Sequence, residues 1–197
     1  MFIERSRAAI GVRPYDINER IIMVQTYDEI KNAAVKDVAE FMCVSARTAP
    51  KAKGADNLEI IILNKKDIQK VREEMKKIGK AKNAGGMKRD ALNIKNTDYV
   101  VLIGTKKNSI GLNCGFCGYS TCLELEKKNG VCAYNSLDLG IALGSAASVA
   151  AKFHIDNRLM YSIGKAAISC GVLSKKVVMA IGIPLSATGK NPFFDRP

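Results

Sequence analysis

Four cysteines within one short segment constrain this chain more than any other feature. The segment CGFCGYSTC covers residues 114–122, and Cys132 follows it, so the spacing is C-x2-C-x4-C-x9-C. Thiolates brought together by a short loop are the ligands of iron–sulfur clusters and of structural zinc. The spacing therefore predicts one inorganic centre held by Cys114, Cys117, Cys122 and Cys132.

Iron–sulfur is the favoured interpretation of this centre, and four-Cys zinc and unliganded thiols are the alternatives. Zinc sites commonly join two C-x2-C pairs, whereas Cys122 and Cys132 do not form such a pair. Gly115 and Gly118 leave room beside the ligands for backbone N–H groups to approach the sulfurs. Lysine pairs on both sides of the segment could offset the negative charge of a cluster. We therefore predict an iron–sulfur cluster.

Charge and composition exclude several classes of protein. There are 31 basic and 19 acidic residues, a net charge of +12, but the lysines are spread along the chain and there is no Trp, so nucleic-acid binding is not favoured. The single histidine, His154, excludes paired-histidine metal sites and disfavours a catalytic triad. Apolar runs are too short for a membrane helix, which needs roughly 20 residues. We expect a cytoplasmic protein without a membrane partner.

Hydrophobic periodicity predicts strands that alternate with helices. Asp156 is expected to cap the helix that runs to Ser169, and Gly79 to end the helix at 67–78. The fold class is predicted to be α+β, α/β-like, with a helix-rich single domain over 23–197 around a small mixed sheet, and a basic arm at 1–22. The predicted helices are 27–46, 67–78, 90–96, 136–152 and 156–169, and the predicted strands are 58–63, 99–103 and 177–181.

The pattern CGxCGxxxC with a later Cys is similar to the four-iron cluster module of electron-transfer subunits in anaerobes. That resemblance implies that the segment 111–132 carries a four-iron cluster, and Cys132 is the ligand whose spacing varies in those proteins. The chain also contains the segments ARTAPKAKGADNLEI, GLNCGFCGYSTC, DLGIALGSA, IDNRLMYSIG and IPLSATGKNPFFDR. Together they resemble the uncharacterised ferredoxin-domain-containing proteins of anaerobic bacteria and archaea, over about residues 24–197.

The scaffold resembles that of FMN-dependent nitroreductases. Ala49-Pro50 before a hydrophobic strand is similar to their A-P-S-x-x-N-x-Q segment, but Lys51, Gly54 and Asp56 replace the Ser, Asn and Gln. The resemblance implies FMN, a homodimer, and a cysteine segment inserted before the central helix at 136–152. The flavin-edge residues that it implies are Arg47, Pro50, Lys51, Lys53 and Gly54, and the phosphate candidates are Lys190 and Arg196. Arg158, near a helix start, is a further candidate to face the ligand.

Two functions remain open from the sequence. The first is an iron–sulfur redox protein, with or without flavin, that exchanges electrons with a donor or acceptor, either a protein or a small molecule. The second is a non-enzymatic, zinc-stabilised interaction or regulatory module. Likewise the loop at 47–56 is either an anion site or a solvated basic loop after a helix end, where cations are favourable. No general acid or base stands out, and the catalytic residues are not identified.

Overall fold

The computed structural model describes residues 24–195. The predicted arm at 1–22 and the phosphate candidate Arg196 lie outside these described residues. Within them, no helix is long and apolar enough to span a membrane.

A four-stranded sheet forms the centre of the fold. Its order is β1-β2-β4-β3, and every pairing among the described residues is antiparallel. The α+β class is confirmed, but the expectation of a mixed sheet is wrong. The strands are β1 (Leu58–Leu63), β2 (Val100–Lys106), β3 (Asp156–Asn157) and β4 (Val177–Ser186).

A helical hairpin explains why β1 and β2 are antiparallel. Between them, α2 (Lys65–Ala81) and α3 (Gly85–Asn93) run out and back, so the chain returns to the end of the sheet where β1 stopped. The prediction that Gly79 ends α2 is wrong. A Cβ there would lie 3.0 Å from Lys88 Cγ, so the glycine allows α2 and α3 to pack closely.

Helices cover both faces of the sheet. α1 (Tyr27–Thr48) and α5 (Ala133–Lys152) pack on one face, and α2, α3 and α6 (Tyr161–Ser169) pack on the other. Alternate residues of β2 face opposite layers, with Val101 in the first core and Leu102 in the second. The result is a three-layer sandwich in which β2 is buried from both sides.

The sequence Thr26-Tyr27-Asp28-Glu29 predicts a capping box at the start of α1. The structure confirms it, because Thr26 accepts a hydrogen bond from the Glu29 amide and Glu29 reaches back to the Thr26 amide. The predicted cap at Asp156 is wrong. Asp156 lies in β3 opposite Ser186, and α6 begins at Tyr161.

β4 is five residues longer than the predicted strand 177–181. The Gly182-Ile183-Pro184 segment suggested a break, but these residues pair with β2 as far as Pro184 opposite Val100. Gly182 is needed for packing, since a Cβ there would lie 2.3 Å from Ile163 Cγ2. A short helix, α4 (Cys122–Lys127), was not predicted.

Candidate metal centre and the adjoining basic loop

The segment between β2 and α5, residues 107–132, is called the cysteine module here. It contains all four predicted ligands and one helix, α4. Cys132 is the N-cap residue of α5, so the most buried of the four thiols is fixed to the central helix of the sandwich. The module thus begins at the end of a core strand and ends at the start of a core helix.

A small hydrophobic cluster holds the module against the sandwich. Ile110, Leu125 and Cys132 are buried in it, and Cys132 is 5% exposed. Partly buried residues from the module, from α5 and from the loop after α1 pack around them. These are Cys117, Tyr119, Tyr134, Ala52 and Ala55. Two of the predicted ligands, Cys117 and Cys132, therefore belong to one cluster.

Asn113 joins the two ends of the CGFCGYSTC segment. Its backbone N–H donates to Cys122 Sγ at 3.3 Å, and its side-chain oxygen accepts from the Cys122 amide at 2.8 Å. Gly115 and Gly118 have φ values of 74° and 82°, a region that favours glycine, and they turn the chain on either side of Cys117. An N–H···S bond of this kind stabilises negative charge on sulfur.

The structure does not gather the four sulfurs around one point. Within residues 24–195, no three Cys, His, Asp or Glu side chains are arranged to hold a metal ion. Cys114 is exposed, whereas Cys132 is buried. Metal–thiolate bonds themselves supply the energy that closes such a loop, so the final arrangement depends on the metal. Ligation by all four cysteines stays a prediction.

The residues of the module nonetheless fit a thiolate-ligated centre. The donor set is four thiols, one of which already accepts an amide hydrogen bond.

The carboxamide of Asn135, three residues after Cys132, is buried, and its Oδ1 has no hydrogen-bond partner in the described part of the chain. Its Nδ2 donates to the Lys106 carbonyl at 2.6 Å, which ties α5 to the end of β2. Sequence reasoning missed Asn113 and Asn135, although Asn113 directly precedes Cys114 and Asn135 lies three residues after Cys132.

The two remaining cysteines have a different environment. Cys43 packs against the α1/α5 core and Cys170 against the opposite core, as expected for small apolar residues. Burial raises the pKa of Cys43 to about 11, with Glu40 adding to the effect, and burial also raises the pKa of Cys170. Both therefore remain neutral thiols near pH 7 and are poor ligands.

The basic loop, defined as residues 47–56, lies directly beside the cysteine module. Arg47 pairs with Asp56 and donates to the Leu58 carbonyl at 3.2 Å. Lys51 donates to the Arg47 and Ala49 carbonyls at 2.5 and 2.9 Å, and so caps the end of α1. Lys53, with φ of 54°, donates to the Ile110 carbonyl in the module at 3.2 Å. Each loop cation therefore has an intramolecular partner.

Two carboxylates hold the basic loop in place. Asp138 on α5 accepts from the Ala52 amide at 3.2 and 3.3 Å, a tertiary contact that the sequence did not predict. Asp56 closes the other end of the loop. Partial burial would raise the pKa of Asp56, but hydrogen bonds from Arg47 and the Leu58 amide outweigh it and lower that pKa below the usual value.

The other predicted site residues lie elsewhere. Arg158 donates to the Phe193 carbonyl at 2.8 Å and stacks over the Phe194 ring, and Lys190 pairs with Asp195 at 2.8 Å. Both therefore contact the C-terminal segment. Pro50 and Gly54 lie in the basic loop, and a Cβ at Gly54 would meet nothing within 4 Å. No recorded contact among the described residues joins the loop to the C-terminal set.

Sequence comparison finds relatives whose activity is not described. The profile of a family described as an uncharacterized protein containing a ferredoxin domain matches residues 128–196. A protein of Archaeoglobus fulgidus, named as an uncharacterized protein, is 42% identical in an alignment 186 residues long. The alignment covers 88% of this chain and 98% of that protein.

The similar solved structures include proteins whose names refer to flavin. An oxidoreductase containing FMN matches this structure with a TM-score of 0.55 at 13% identity. The match covers 79% of this chain and 68% of that protein. A BluB-like flavoprotein from Clostridium difficile 630 has a TM-score of 0.54 at 15% identity, and the match covers 82% of this chain and 83% of that protein. An FMN-dependent nitroreductase from Clostridium difficile R20291 has a TM-score of 0.51 at 14% identity, and the match covers 79% of this chain and 77% of that protein. These similarities establish a nitroreductase-like fold.

Proposed function

This chain belongs to the family of uncharacterised proteins that contain a ferredoxin domain, and from that premise we propose that it is an iron–sulfur redox protein. In this proposal Cys114, Cys117, Cys122 and Cys132 hold a 4Fe–4S cluster, and the sandwich holds FMN. An iron–sulfur cluster supplies one-electron transfer, and FMN supplies a second redox centre that accepts one or two electrons. The substrate is a small molecule or protein that gains or loses those electrons.

One observation carries the proposal: the cysteine module and the basic loop share a single hydrophobic cluster. Cys117 and Cys132 come from the module, and Ala52 and Ala55 come from the loop. The hydrogen bond from Lys53 to the Ile110 carbonyl adds a second connection. Electron transfer requires that two centres be close, and this packing makes the two candidate cofactor segments neighbours.

The residues around the cysteines serve redox chemistry by setting charge and solvent access. The Asn113 amide donates to the Cys122 sulfur, which favours the more negative state of a bound centre. Ile110 and Leu125 shield Cys132 from water, and burial without compensation disfavours added negative charge. Hydrogen bonding and burial therefore act in opposite directions on the potential.

Support for FMN comes from the fold and from the open backbone at Gly54, where a flat ring could approach. Arg47, Lys51 and Lys53 are held by partners within the chain, so anion binding at the loop would rely on exposed amides as much as on charge. Flavin is therefore the second part of the proposal, and it is tested separately from the cluster.

Anaerobic reconstitution with iron and sulfide tests the cluster. We expect about four irons and four sulfides per chain and a broad visible absorbance that bleaches with dithionite. Cys132→Ser should lose most of this absorbance, because that position supplies a predicted ligand. The matched control, Cys170→Ser, removes a thiol that packs in the core and should keep the cluster.

The same preparation tests the other interpretations. Zinc without iron, with no visible absorbance, would overturn the redox proposal in favour of a zinc-stabilised module. Flavin released by denaturation identifies FMN by its fluorescence. A protein that binds the cluster but no added FMN would retain the first part of the proposal and lose the second.

We also propose that the chain forms a homodimer through the outer face of α1 and α5. Leu137, Gly140, Ile141 and Gly144 form an exposed stripe on α5, and Cβ atoms at the two glycines would meet nothing within 4 Å. Exposed Phe41 on α1 extends this apolar face. Light scattering should give twice the chain mass, and Ile141→Asp should give the monomer mass.

A further inference from the structure

The outer surface of the cysteine module carries four exposed apolar side chains. Leu112, Phe116, Leu123 and Val131 are 40%, 69%, 60% and 36% exposed, and they are called the module patch here. The Phe116 ring stacks on Tyr134 at 5.8 Å between centroids, so its position is fixed against the start of α5. A rigid aromatic residue among exposed aliphatic ones is typical of protein-binding surfaces.

The module and the segment next to it carry lysines without acidic partners. Leu123 and Lys127 are one turn apart on α4 and so share a face, and Lys128 follows. The Lys107 amide donates to the Lys176 carbonyl at 3.2 Å, which brings Lys175 and Lys176 to the same end of the sheet. None of these five lysines forms an ion pair within residues 24–195.

The acidic residues of the module do not cancel this charge. Residues 107–131 and 174–176 contain five lysines and two glutamates. Glu124 accepts from the Ser120 amide at 3.2 Å, and Glu126 accepts from the Ser109 hydroxyl. Both carboxylates are used to hold the module together, which leaves the five lysines, called the lysine rim here, without an acidic partner.

We propose that the module patch is the docking surface for a small acidic redox protein that delivers electrons to the cysteine-held centre. This inference rests on the proposed function. A negatively charged partner is steered by the lysine rim, and its apolar contact area packs on Phe116 and Leu123. One electron leaves the reduced partner, which is oxidised by one equivalent, and reduces the centre held by the cysteines; no proton or atom is transferred.

A nucleic acid would also be attracted by lysines, but the patch suits it less well. Single-stranded nucleic acids bind basic grooves in which several aromatic rings stack on bases. Here one ring, that of Phe116, is already stacked on Tyr134, and the other three patch residues are aliphatic. The surface therefore favours a protein with an apolar contact area.

The test measures binding and reduction of the reconstituted full-length protein by a purified, strongly acidic two-cluster ferredoxin. At low ionic strength we expect saturable binding and rapid reduction, both of which weaken as salt increases. Lys127→Glu with Lys128→Glu should lower affinity and the second-order rate roughly tenfold. Phe116→Ser should weaken binding while leaving the salt dependence unchanged.

The matched control is Lys66→Glu with Lys95→Glu, which makes the same charge change at the opposite end of the sheet. Both lysines are exposed, and neither forms an ion pair within residues 24–195. The affinity of this control for the acidic ferredoxin, and its second-order rate of reduction, should stay within about twofold of the parent values. Equal losses in both double variants would overturn the docking surface, as would equal binding of a basic cytochrome c or tighter, salt-sensitive binding of single-stranded RNA.

Failure of this inference can be distinguished from failure of the proposed function. Iron and sulfide content and reduction by dithionite are measured first, without any protein partner. If no cluster forms, the proposed function fails. If the cluster forms and dithionite reduces it, but the acidic ferredoxin neither binds nor reacts, only the docking surface is wrong.

Discussion

The sandwich and the cysteine module are stabilised in different ways. β2 is buried along its length and is paired on both sides, so hydrogen bonds and apolar packing both hold it. The module has one short helix, and much of its surface is exposed. Ile110, Leu125 and Cys132 are its buried apolar residues. We therefore expect the sandwich to fold without metal, and the module to gain further stability if its cysteines bind one.

The largest expected effect comes from breaking the sandwich at Gly164. A Cβ at this position in α6 would lie 1.7 Å from the Ala180 carbonyl oxygen, so Gly164→Ala must separate α6 from β4. We expect a loss of more than about 4 kcal/mol in the free energy of unfolding, measured with urea. Gly86→Ala is the control, also in a helix, where a Cβ would meet only the flexible end of the Arg89 side chain at 4.0 Å, and it should change stability by less than about 1 kcal/mol.

Two leucine truncations compare the regions directly. Leu102→Ala in β2 should lower the free energy of global unfolding by about 2 to 5 kcal/mol, because it leaves a cavity in the core. Leu125→Ala in the metal-free protein should leave the global value within about 0.5 kcal/mol and speed amide exchange in the module. If Leu125→Ala lowered global stability as much as Leu102→Ala did, the two regions would unfold as one unit.

Asp138 connects the sandwich to the basic loop, so its removal should have an intermediate effect. Asp138→Ala leaves the Ala52 amide without an acceptor and should cost about 1 to 3 kcal/mol. Asp138→Asn keeps an acceptor and should recover most of that loss in urea titrations. Loss of FMN binding in Asp138→Ala but not in Asp138→Asn would place the flavin at the loop. Equal stability of the parent and Asp138→Ala would contradict the structural role.

The smallest effect concerns thiol reactivity and leaves stability unchanged. Because burial raises the pKa of Cys43 to about 11, its thiol should be alkylated at pH 8 about a hundredfold more slowly than an exposed thiol. The rate should increase as pH approaches 11. Mass spectrometry of the native, metal-free protein measures this, and the urea-unfolded chain is the control in which Cys43 reacts like the others. Fast native labelling of Cys43 would show that it belongs with the reactive thiols.

Local patterns predicted many of the regular elements, although the helix expected at 90–96 is wrong in its bounds and lies at Gly85–Asn93. The apolar run at 58–63 is bounded by asparagines, and the structure has β1 at those same residues. The capping box at Thr26 placed the start of α1 correctly. Both signals depend on neighbouring residues, which act in the same way in any tertiary context. The resemblance to ferredoxin-domain proteins, drawn from short segments, also identified the family.

Failures occurred where a residue's role comes from a distant contact. Gly79 was interpreted as a helix end, but it allows α3 to pack on α2. Asp156 was interpreted as a cap, but it lies in β3 opposite Ser186. Asp138 lies near the start of α5, but its partner is the Ala52 amide, which is 86 positions away. None of these partners leaves a local pattern in the sequence.

The sequence alone determined the chemistry that this protein has available: four closely spaced thiols, a basic loop before an apolar strand, and alternating helices and strands. Residue type and spacing are local properties, and they specify ligands and elements directly. Tertiary structure decided which of these features are neighbours. The hydrogen bond from Lys53 to the Ile110 carbonyl and the shared cluster around Cys132 bring the loop to the module. Burial of apolar surface drives that arrangement, and burial is decided by the whole fold.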